Sequence, residues 1–219
     1  MIDLNGDGIK TLSKDDGFEF DTRGTGFAHR TGWVAPEDGI LAFDSSGTGF
    51  IDDGTQLFGT SMKIAGGRNA VNGFDALSQF DSNNDNKIDV QDQNFSKIGV
   101  LTGNGIFQNL TELGIESISL QFNTTSNTDI SGNKEVARGS FLWSDGRQGT
   151  FADYDLAENT TVSYYVPTVE IDDSILALPD AAGLGVVTSL HEAMQLDVSG
   201  QLKGLVEQFI SDLSIKLWH

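Results

Sequence analysis

The clearest spacing of metal-type ligands lies in residues 81–92. If Asp81 is counted as position 1, oxygen-bearing side chains recur at positions 3, 5, 9 and 12, and position 7 offers its main-chain carbonyl; these residues are Asn83, Asp85, Asp89, Asp92 and Lys87. Alternate residues of a tight loop point inward, so donors at this spacing converge on one hard cation with about six to eight oxygen ligands. The spacing is typical of an EF-hand loop and predicts a Ca²⁺ site.

Two positions of this loop differ from the usual EF-hand pattern. Position 6 must adopt a left-handed conformation, for which glycine is usual, and Asn86 is the best replacement. Asp92 at position 12 is shorter than the usual glutamate and is expected to weaken bidentate binding. The alternative interpretation is a solvated acidic turn that holds no metal.

A second loop of the same type begins at Asp3. Asn5 and Asp7 occupy positions 3 and 5, Gly8 occupies position 6, and Ile9 offers its carbonyl at position 7. Position 12 is a lysine, Lys14, which cannot coordinate a cation. The shell must therefore be completed from elsewhere, and the available carboxylates are those of Asp15, Asp16, Asp38 and Asp44. Such a site would connect distant segments of the chain.

A third frame begins at Asp44 and has weaker donors. Hydroxyl side chains stand at positions 3 and 5, a carboxylate stands at position 9, and an amide follows the loop; these are Ser46, Thr48, Asp52 and Gln56. Weaker donors imply a lower affinity for Ca²⁺. A fourth frame at Asp21 places Arg23 where a ligand belongs, and a simple glycine turn is favoured there.

The composition agrees with cation binding and argues against several other functions. The 219 residues carry 32 acidic and 13 basic side chains, a net charge of −19, which disfavours nucleic acid as a partner. A solvated acidic surface is the alternative reading of this charge.

The lack of cysteine excludes disulfides and zinc–thiolate sites, so metal must take the stabilising role. No segment resembles a signal peptide or a membrane span, and we expect a soluble chain, exported, if secreted, by a signal outside this segment.

Short elements are predicted to position the loops. The glycine-rich residues 1–60 favour short strands or turns at Phe18–Phe20, Gly39–Phe43 and Phe50–Ile51. Apolar residues at helical spacing predict a short helix over 72–80, directly before the Asp81 loop, and a second short helix at 95–98.

The second half of the chain changes from strands to helices. Alternating apolar residues predict a strand over 115–122, followed by an antiparallel group, Val136–Trp143, Thr150–Tyr154 and Thr160–Val166. Two amphipathic helices, over 190–194 and 202–213, are predicted around a hinge at Asp197–Gly200. The expected fold class is α+β. A sandwich-like antiparallel core would carry a calcium-loop-rich N-terminal half, an EF-hand-like helix-loop-helix and C-terminal helices.

We treat residues 1–219 as a single Ca²⁺-binding domain. Residues 1–99 form its calcium-loop half, residues 100–170 are mainly β, and residues 171–219 are the helical C-terminal end. No linker rich in proline or serine separates these parts.

A series of short segments resembles, in order, the calcium-binding module of large RTX-type secreted proteins. The segments are Asp3–Ile9, Thr31–Val34, Asp38–Gly39, Asp44–Ile51, Gln56–Gly59, Asn72–Phe74, Asp81–Asp89 and Leu113–Ile115. Together they fall within residues 3–143. The set is similar both to the self-processing module of iron-regulated RTX toxins and to the peptide-binding domain of RTX adhesins.

The chain also departs from these relatives. Many of them carry another Asp/Asn loop where residues 101–106 are too short to hold a metal. Self-processing members cut an Asp-Pro bond a few residues before their first loop, and this sequence has no Asp-Pro. The glycine-rich nonapeptide of the RTX β-roll is also missing.

Resemblance to the adhesin domains implies a Ca²⁺-dependent binding module of a secreted or cell-surface bacterial adhesin. Its partner would be an extracellular peptide or protein, held through a free C-terminal carboxylate, and the domain would be monomeric within a larger protein. Calcium-triggered self-processing is the second hypothesis and a calcium-stabilised structural spacer is the third. Neither nucleic acid nor membrane insertion is expected.

Other catalytic constellations are poor. The histidines His29, His191 and His219 have no serine or cysteine motif around them, so no catalytic residue is assigned. Aromatic residues are candidate ligand anchors, although each is also a candidate for the core. These are Trp33, Trp143, Tyr154, Tyr164 and Tyr165.

Overall fold

The computed structural model describes residues 1–166, 169–181 and 188–216. The strands are β1 Thr11–Leu12, β2 Phe18–Phe20, β3 Phe27–Thr31, β4 Trp33–Val34, β5 Gly39–Phe43, β6 Lys87–Asp89, β7 Ile98–Thr102, β8 Phe107–Asn109, β9 Ile115–Thr128, β10 Lys134–Trp143, β11 Gln148–Asp155 and β12 Glu158–Tyr165. The helices are α1 Gly73–Ser78, α2 Asp173–Leu176, α3 Leu190–Leu196 and α4 Gln201–Lys216, and single 3₁₀ turns occur at Ala65–Gly67 and Phe95–Lys97.

Antiparallel sheets and a few helices confirm the predicted α+β class. The largest sheet has the order β11-β10-β9-β6, and smaller sheets have the orders β5-β7-β8, β12-β3-β2 and β1-β4. The chain forms two compact units, residues 1–25 with 29–160, and residues 26–28 with the described part of 161–219. The single-domain assignment concerns folding behaviour and stays a prediction.

The core of the first unit lies between helix α1 and the large sheet. Asn72 caps the helix by accepting a hydrogen bond from the main-chain N of Asp75 at 2.8 Å, which is a usual way to begin a helix after a turn. The helix then packs Phe74 against Phe122 and Phe151, with ring centroids 4.4 and 4.7 Å apart. The predicted helix over 72–80 is therefore present, somewhat shortened, and it ends just before the Asp81 loop.

The predicted second helix around Phe95 and Ile98 is wrong beyond its first turn. Residues Phe95–Lys97 form a single 3₁₀ turn, and Ile98 begins strand β7, where it pairs with Phe43. The main chain of Ile98 is thus held by a neighbouring strand, an interaction that helical spacing alone does not reveal. Positions 7–9 of the Asp81 loop form strand β6, in which Ile88 pairs with Ile118 of β9.

The second unit contains the predicted C-terminal helices. Helices α3 and α4 are separated by a turn in which Asp197 accepts a hydrogen bond from the main-chain N of Leu202 at 2.7 Å and Gly200 has a φ of 67°. The hinge predicted at Asp197–Gly200 is therefore confirmed. The side chains of residues 213–216 and of Tyr165, and the whole of His219, lie outside the described part of the chain.

Candidate functional site

Three of the acidic loops share one backbone conformation. In each, the residues at positions 4 and 6 have left-handed φ angles: 82° and 93° for Gly6 and Gly8, 73° and 79° for Gly47 and Gly49, and 60° and 66° for Asn84 and Asn86. The left-handed conformation expected at Asn86 is confirmed. The second left-handed residue, at position 4, was missed, although glycine and asparagine are the residue types that tolerate it.

The first aspartate of each loop fixes this conformation through both of its carboxylate oxygens. Each aspartate accepts hydrogen bonds of 2.7–3.1 Å from two main-chain N–H groups, one of which belongs to position 6. The donors are Gly6 and Gly8 for Asp3, Gly47 and Gly49 for Asp44, and Asp85 and Asn86 for Asp81. Each loop is thereby curled around its own position 1.

The Asp81 loop is closed at its far end by Asp92. The two carboxylate oxygens of Asp92 accept from the main-chain N of Ser82 at 2.7 Å and from that of Asp89 at 2.9 Å. Within the loop, Asn83 Oδ1 accepts from the main-chain N of Asp85 at 3.0 Å. Position 12 therefore joins the beginning and the end of the loop through main-chain contacts.

The side chain of Lys87 has a role that the sequence did not suggest. Its ammonium lies 2.5 Å from Asp89 Oδ2 and 3.5 Å from Asp85 Oδ2. The hydrogen bond to Asp89 raises the pKa of Lys87. A positive charge is thus held between two of the predicted ligands, and the negative charge of the loop attracts cations to this position.

Asp38 is the predicted carboxylate that the fold brings to the first loop. It is fully buried and accepts from the main-chain N of Leu4 at 3.2 Å and of Lys10 at 2.9 Å, one on each side of the loop. Burial raises the pKa of Asp38 above its ordinary value despite these two hydrogen bonds. Asp16 instead accepts from the Ser13 hydroxyl.

Other predicted ligands of the first loop lie near its exposed tip. Asn5 Oδ1 accepts from the main-chain N of Asp7 at 3.0 Å, and Asp7 is paired with the Lys10 ammonium at 2.5 Å. Ile9 is half-buried and packs against an apolar cluster that includes Trp33. The loop is therefore anchored by apolar contact at one end while its polar tip faces solvent.

In the Asp44 loop the hydroxyl side chains face the carboxylate. Ser46 Oγ donates to Asp44 Oδ1 at 2.9 Å and lies 2.8 Å from Thr48 Oγ1. Asp52 is exposed, and its main-chain N donates to Gln56 Oε1 at 2.7 Å. Ser46 and Thr48 are thus gathered around position 1, whereas the Gln56 amide holds the main chain.

The Asp21 turn has left-handed glycines at positions 4 and 6 but no ligand at position 3. Gly24 and Gly26 have φ angles of 64° and 82°. The Arg23 guanidinium forms an ion pair with Glu158, with 2.5 Å between Arg23 Nη2 and Glu158 Oε2. This geometry agrees with the glycine turn favoured from the sequence.

The donor set of the three loops fits a hard cation. No three Asp, Glu, His or Cys side chains converge as a metal cluster within the described residues. Each loop instead combines two to four carboxylates with amide, hydroxyl or main-chain oxygens, the mixture that Ca²⁺ loops use. The main-chain N–H groups of each tip are turned toward position 1, which leaves the carbonyl and side-chain oxygens of the other positions to serve as ligands.

A cavity of about 290 Å³ lies beside residue 1, and nothing in the sequence pointed to it. Its wall combines apolar, hydroxyl and charged side chains with main-chain atoms of two glycines. The lining residues are Met1, Thr22, Arg23, Ile40, Gly54, Leu57, Phe58, Gly59, Thr60, Ser61, Asp153, Tyr154, Asp155, Leu156 and Glu158. Tyr154, proposed from the sequence as a ligand anchor, is among them, whereas Trp33 is buried in the core.

Residues 1–3 are held between two sheets at the wall of this cavity. The main-chain N of Ile2 donates to Gly39 O of β5 at 2.8 Å, and that of Asp3 donates to Thr150 O of β11 at 3.0 Å. The nitrogen of Met1 donates to Ala152 O at 2.5 Å. The first loop therefore starts directly from the segment that lines the cavity.

Two titratable residues of the site, Asp153 and Tyr154, have pKa values that their surroundings raise. Asp153 Oδ2 accepts from the main-chain N of Gly73 at 2.8 Å, yet burial outweighs this bond and raises the pKa of Asp153. Burial beside Glu135 raises the pKa of Tyr154 to about 12, and its hydroxyl donates to Glu135 Oε2 at 3.1 Å.

The chain is similar to known proteins over most of its length. Residues 1–157 match the family model described as the SPM domain. The chain belongs to the SPM domain family. Over 218 aligned residues it is 35% identical to the iron-regulated protein FrpA of Neisseria meningitidis serogroup C. The alignment covers 95% of this chain and 19% of that relative, so this chain spans less than a fifth of the length of FrpA.

These similarities confirm the RTX-related family predicted from the ordered loops. Within the described residues, no helix is both long enough and apolar enough to span a bilayer.

Proposed function

We propose that this SPM domain is a Ca²⁺-dependent module of a secreted bacterial RTX protein that acts on the peptide segment joined to residue 1. Its fold would depend on Ca²⁺ in the loops that begin at Asp3, Asp44 and Asp81. Bound Ca²⁺ would neutralise loop charge and hold each loop in place. Removal of Ca²⁺ is therefore expected to lower the melting temperature.

One observation carries the proposed activity: residue 1 lies at the wall of the cavity. Met1 is buried, and its nitrogen is fixed on Ala152 O. A residue joined to this nitrogen begins at the cavity wall, and the next one lies within about 7 Å of it. Self-processing RTX modules cut an Asp-Pro bond a few residues before their first loop, and the similarity to FrpA over 95% of this chain supports the proposal of the same activity here.

The reaction needs little from the domain besides orientation and a proton. A carboxylate oxygen of the upstream aspartate attacks the carbonyl carbon of the same residue and forms a five-membered anhydride, while the bond to the proline nitrogen breaks. The nitrogen leaves as an amine and must take up a proton, and water then opens the anhydride. A walled cavity favours the compact conformation that this attack requires.

The test is a chain that carries Asp-Pro a few residues upstream of Met1. Ca²⁺ is expected to trigger cleavage at that bond on a denaturing gel, and EGTA is expected to prevent it. The matched control carries Asn-Pro, which lacks the attacking carboxylate. An Asp-Pro chain that stays whole in millimolar Ca²⁺ while folded would contradict the proposed activity.

The peptide-binding function inferred first from the sequence is the second candidate. It is supported by the exposed tips of two loops, at Asn5–Asp7 and Ser46–Thr48. A Ca²⁺ bound there would be open on its outer side to a carboxylate from another peptide. A peptide array probed in Ca²⁺ tests this function, because binding by carboxylate capture must be lost when the C-terminus is amidated. Binding that ignores amidation would refute capture, and a chain that neither cleaves nor binds would leave the structural spacer.

A further inference from the structure

Asp153 lies close to residue 1, where a carboxylic acid is placed to donate a proton to the peptide segment joined to that residue. It lies near the end of β11, one residue after Ala152, whose carbonyl fixes the Met1 nitrogen. Asp153 lines the cavity and also borders a small second void of about 20 Å³ that Met1 and Phe58 line as well. The main-chain N of Gly73, at the start of helix α1, donates to one of its oxygens.

The close approach of helix α1 fixes this carboxyl in place. A Cβ added at Gly73 would lie 2.8 Å from Phe58 O and 3.2 Å from the Asp153 carboxyl, so any larger residue would push the helix away. Gly73 thus lets a main-chain N–H reach the carboxylate of a residue that lines the cavity.

We infer that Asp153 is the acid that protonates the leaving proline nitrogen in the cleavage proposed above. The inference rests on that proposed function. The carboxyl proton of Asp153 passes to the nitrogen as the carbon–nitrogen bond breaks, and the resulting Asp153 carboxylate is reprotonated from solvent. The bond electrons stay on nitrogen, so the products are a neutral secondary amine and the anhydride, which water opens.

The other titratable side chains that line the cavity are bonded to neighbouring residues or are more exposed than Asp153. Glu158 is paired with Arg23 and accepts from the Thr22 hydroxyl at 2.5 Å. Tyr154 donates to Glu135 at 3.1 Å, and its pKa of about 12 makes it a weak acid. Asp155 is exposed at the end of β11. Burial raises the pKa of Asp153, so this carboxyl stays protonated to a higher pH than an ordinary aspartate.

The experiment compares the Asp-Pro chain with its Asp153→Asn variant. The variant keeps the shape and the hydrogen bond from Gly73 but has no acidic proton. Cleavage in Ca²⁺ is expected to slow by about 10²-fold or more, the usual effect of losing a general acid. The parent rate is expected to fall as pH rises through the pKa of Asp153, and D153N should lose that fall. The matched control is Glu116→Gln, which removes an exposed carboxylate of β9 outside the cavity and should cleave at close to the parent rate.

Each outcome separates this inference from the proposed function. If the parent chain does not cleave, the proposed function fails and the role of Asp153 fails with it. If the parent cleaves and folded D153N cleaves equally fast with the same pH profile, Asp153 is not the acid. Should D153N fail to fold, as judged by its Ca²⁺-dependent melting, Asp153→Glu decides: it retains an acid and must cleave with a displaced pH profile, and an unchanged profile would overturn the inference.

Discussion

The left-handed residues of the loops give a quantitative test of how the loops contribute to stability. In Gly49→Ala the added Cβ would meet no heavy atom within 4 Å, so the cost comes from the backbone at φ 79° and not from a clash. Holding alanine in this conformation costs about 1–2 kcal/mol. If the loop instead leaves the conformation, it gives up the 2.7 Å bond from Gly49 N to Asp44, a charged hydrogen bond worth about 1.5–3 kcal/mol. The chain takes whichever response costs less, so we expect the free energy of unfolding to fall by about 1–2 kcal/mol.

Urea unfolding of the Ca²⁺-loaded chain measures this change. With a slope of about 2 kcal/mol per molar, the midpoint should fall by about 0.5–1 M. The control is Gly59→Ala, where the Cβ also has open space but φ is not left-handed. Alanine there restricts the unfolded chain and should raise stability by up to about 1 kcal/mol. Equal midpoints for the two variants would refute the argument that φ, and not the added methyl group, sets the cost.

Three further predictions concern the Asp81 loop and the ion pair between buried Glu135 and exposed Arg138. Asp85→Ala removes a central ligand of the Asp81 loop and should lower the Ca²⁺ stoichiometry by one in calorimetric titration. An unchanged stoichiometry would refute the assignment of Asp85 as a Ca²⁺ ligand of this loop. Asn86→Gly relieves a left-handed non-glycine residue and should leave Ca²⁺ affinity equal or improve it, whereas a clear loss would show that the Asn86 side chain is needed. Burial alone would raise the pKa of Glu135, but its ion pair with Arg138 reverses the effect, so the folded pKa lies below the ordinary 4.5. The stabilisation is therefore complete above about pH 4.5 and is lost as pH falls through the folded pKa. Glu135→Gln should reduce the difference between unfolding free energies at pH 7 and pH 3, and an undiminished difference would contradict this.

Local structure that depends only on residues adjacent in sequence was predicted best. The curled conformation of the Asp81 loop depends on Asp81, Asp85 and Asn86, and all three can be read from spacing and residue type. The strands at Phe18–Phe20 and Gly39–Phe43 were placed with their observed bounds, because glycine-rich turns mark their ends.

Features that depend on distant partners could not be predicted. Ile98 has the spacing of a helix but pairs with Phe43, and no local pattern specifies a partner 55 positions away. The cavity joins residues 1, 22–23, 40, 54–61 and 153–158, so its existence follows only from the assembled sheets. Asp38 was one of four candidate carboxylates, and only the fold shows that it accepts hydrogen bonds on both sides of the first loop.

The hydrogen bonds that hold residues 1–3 have a consequence for the order of folding. The Met1 nitrogen and Ala152 O are separated by 151 positions, and the bonds from Thr11 and Thr22 span 118 and 136. A chain that emerges from its N-terminus cannot form the bonds from residues 1 and 3 to Ala152 and Thr150 until strand β11 has also emerged. Contacts of such long sequence separation slow folding, because a large loop must close before they form. Residues 1–3 are therefore expected to dock last, and the first loop and the cavity wall should be completed together in that final step.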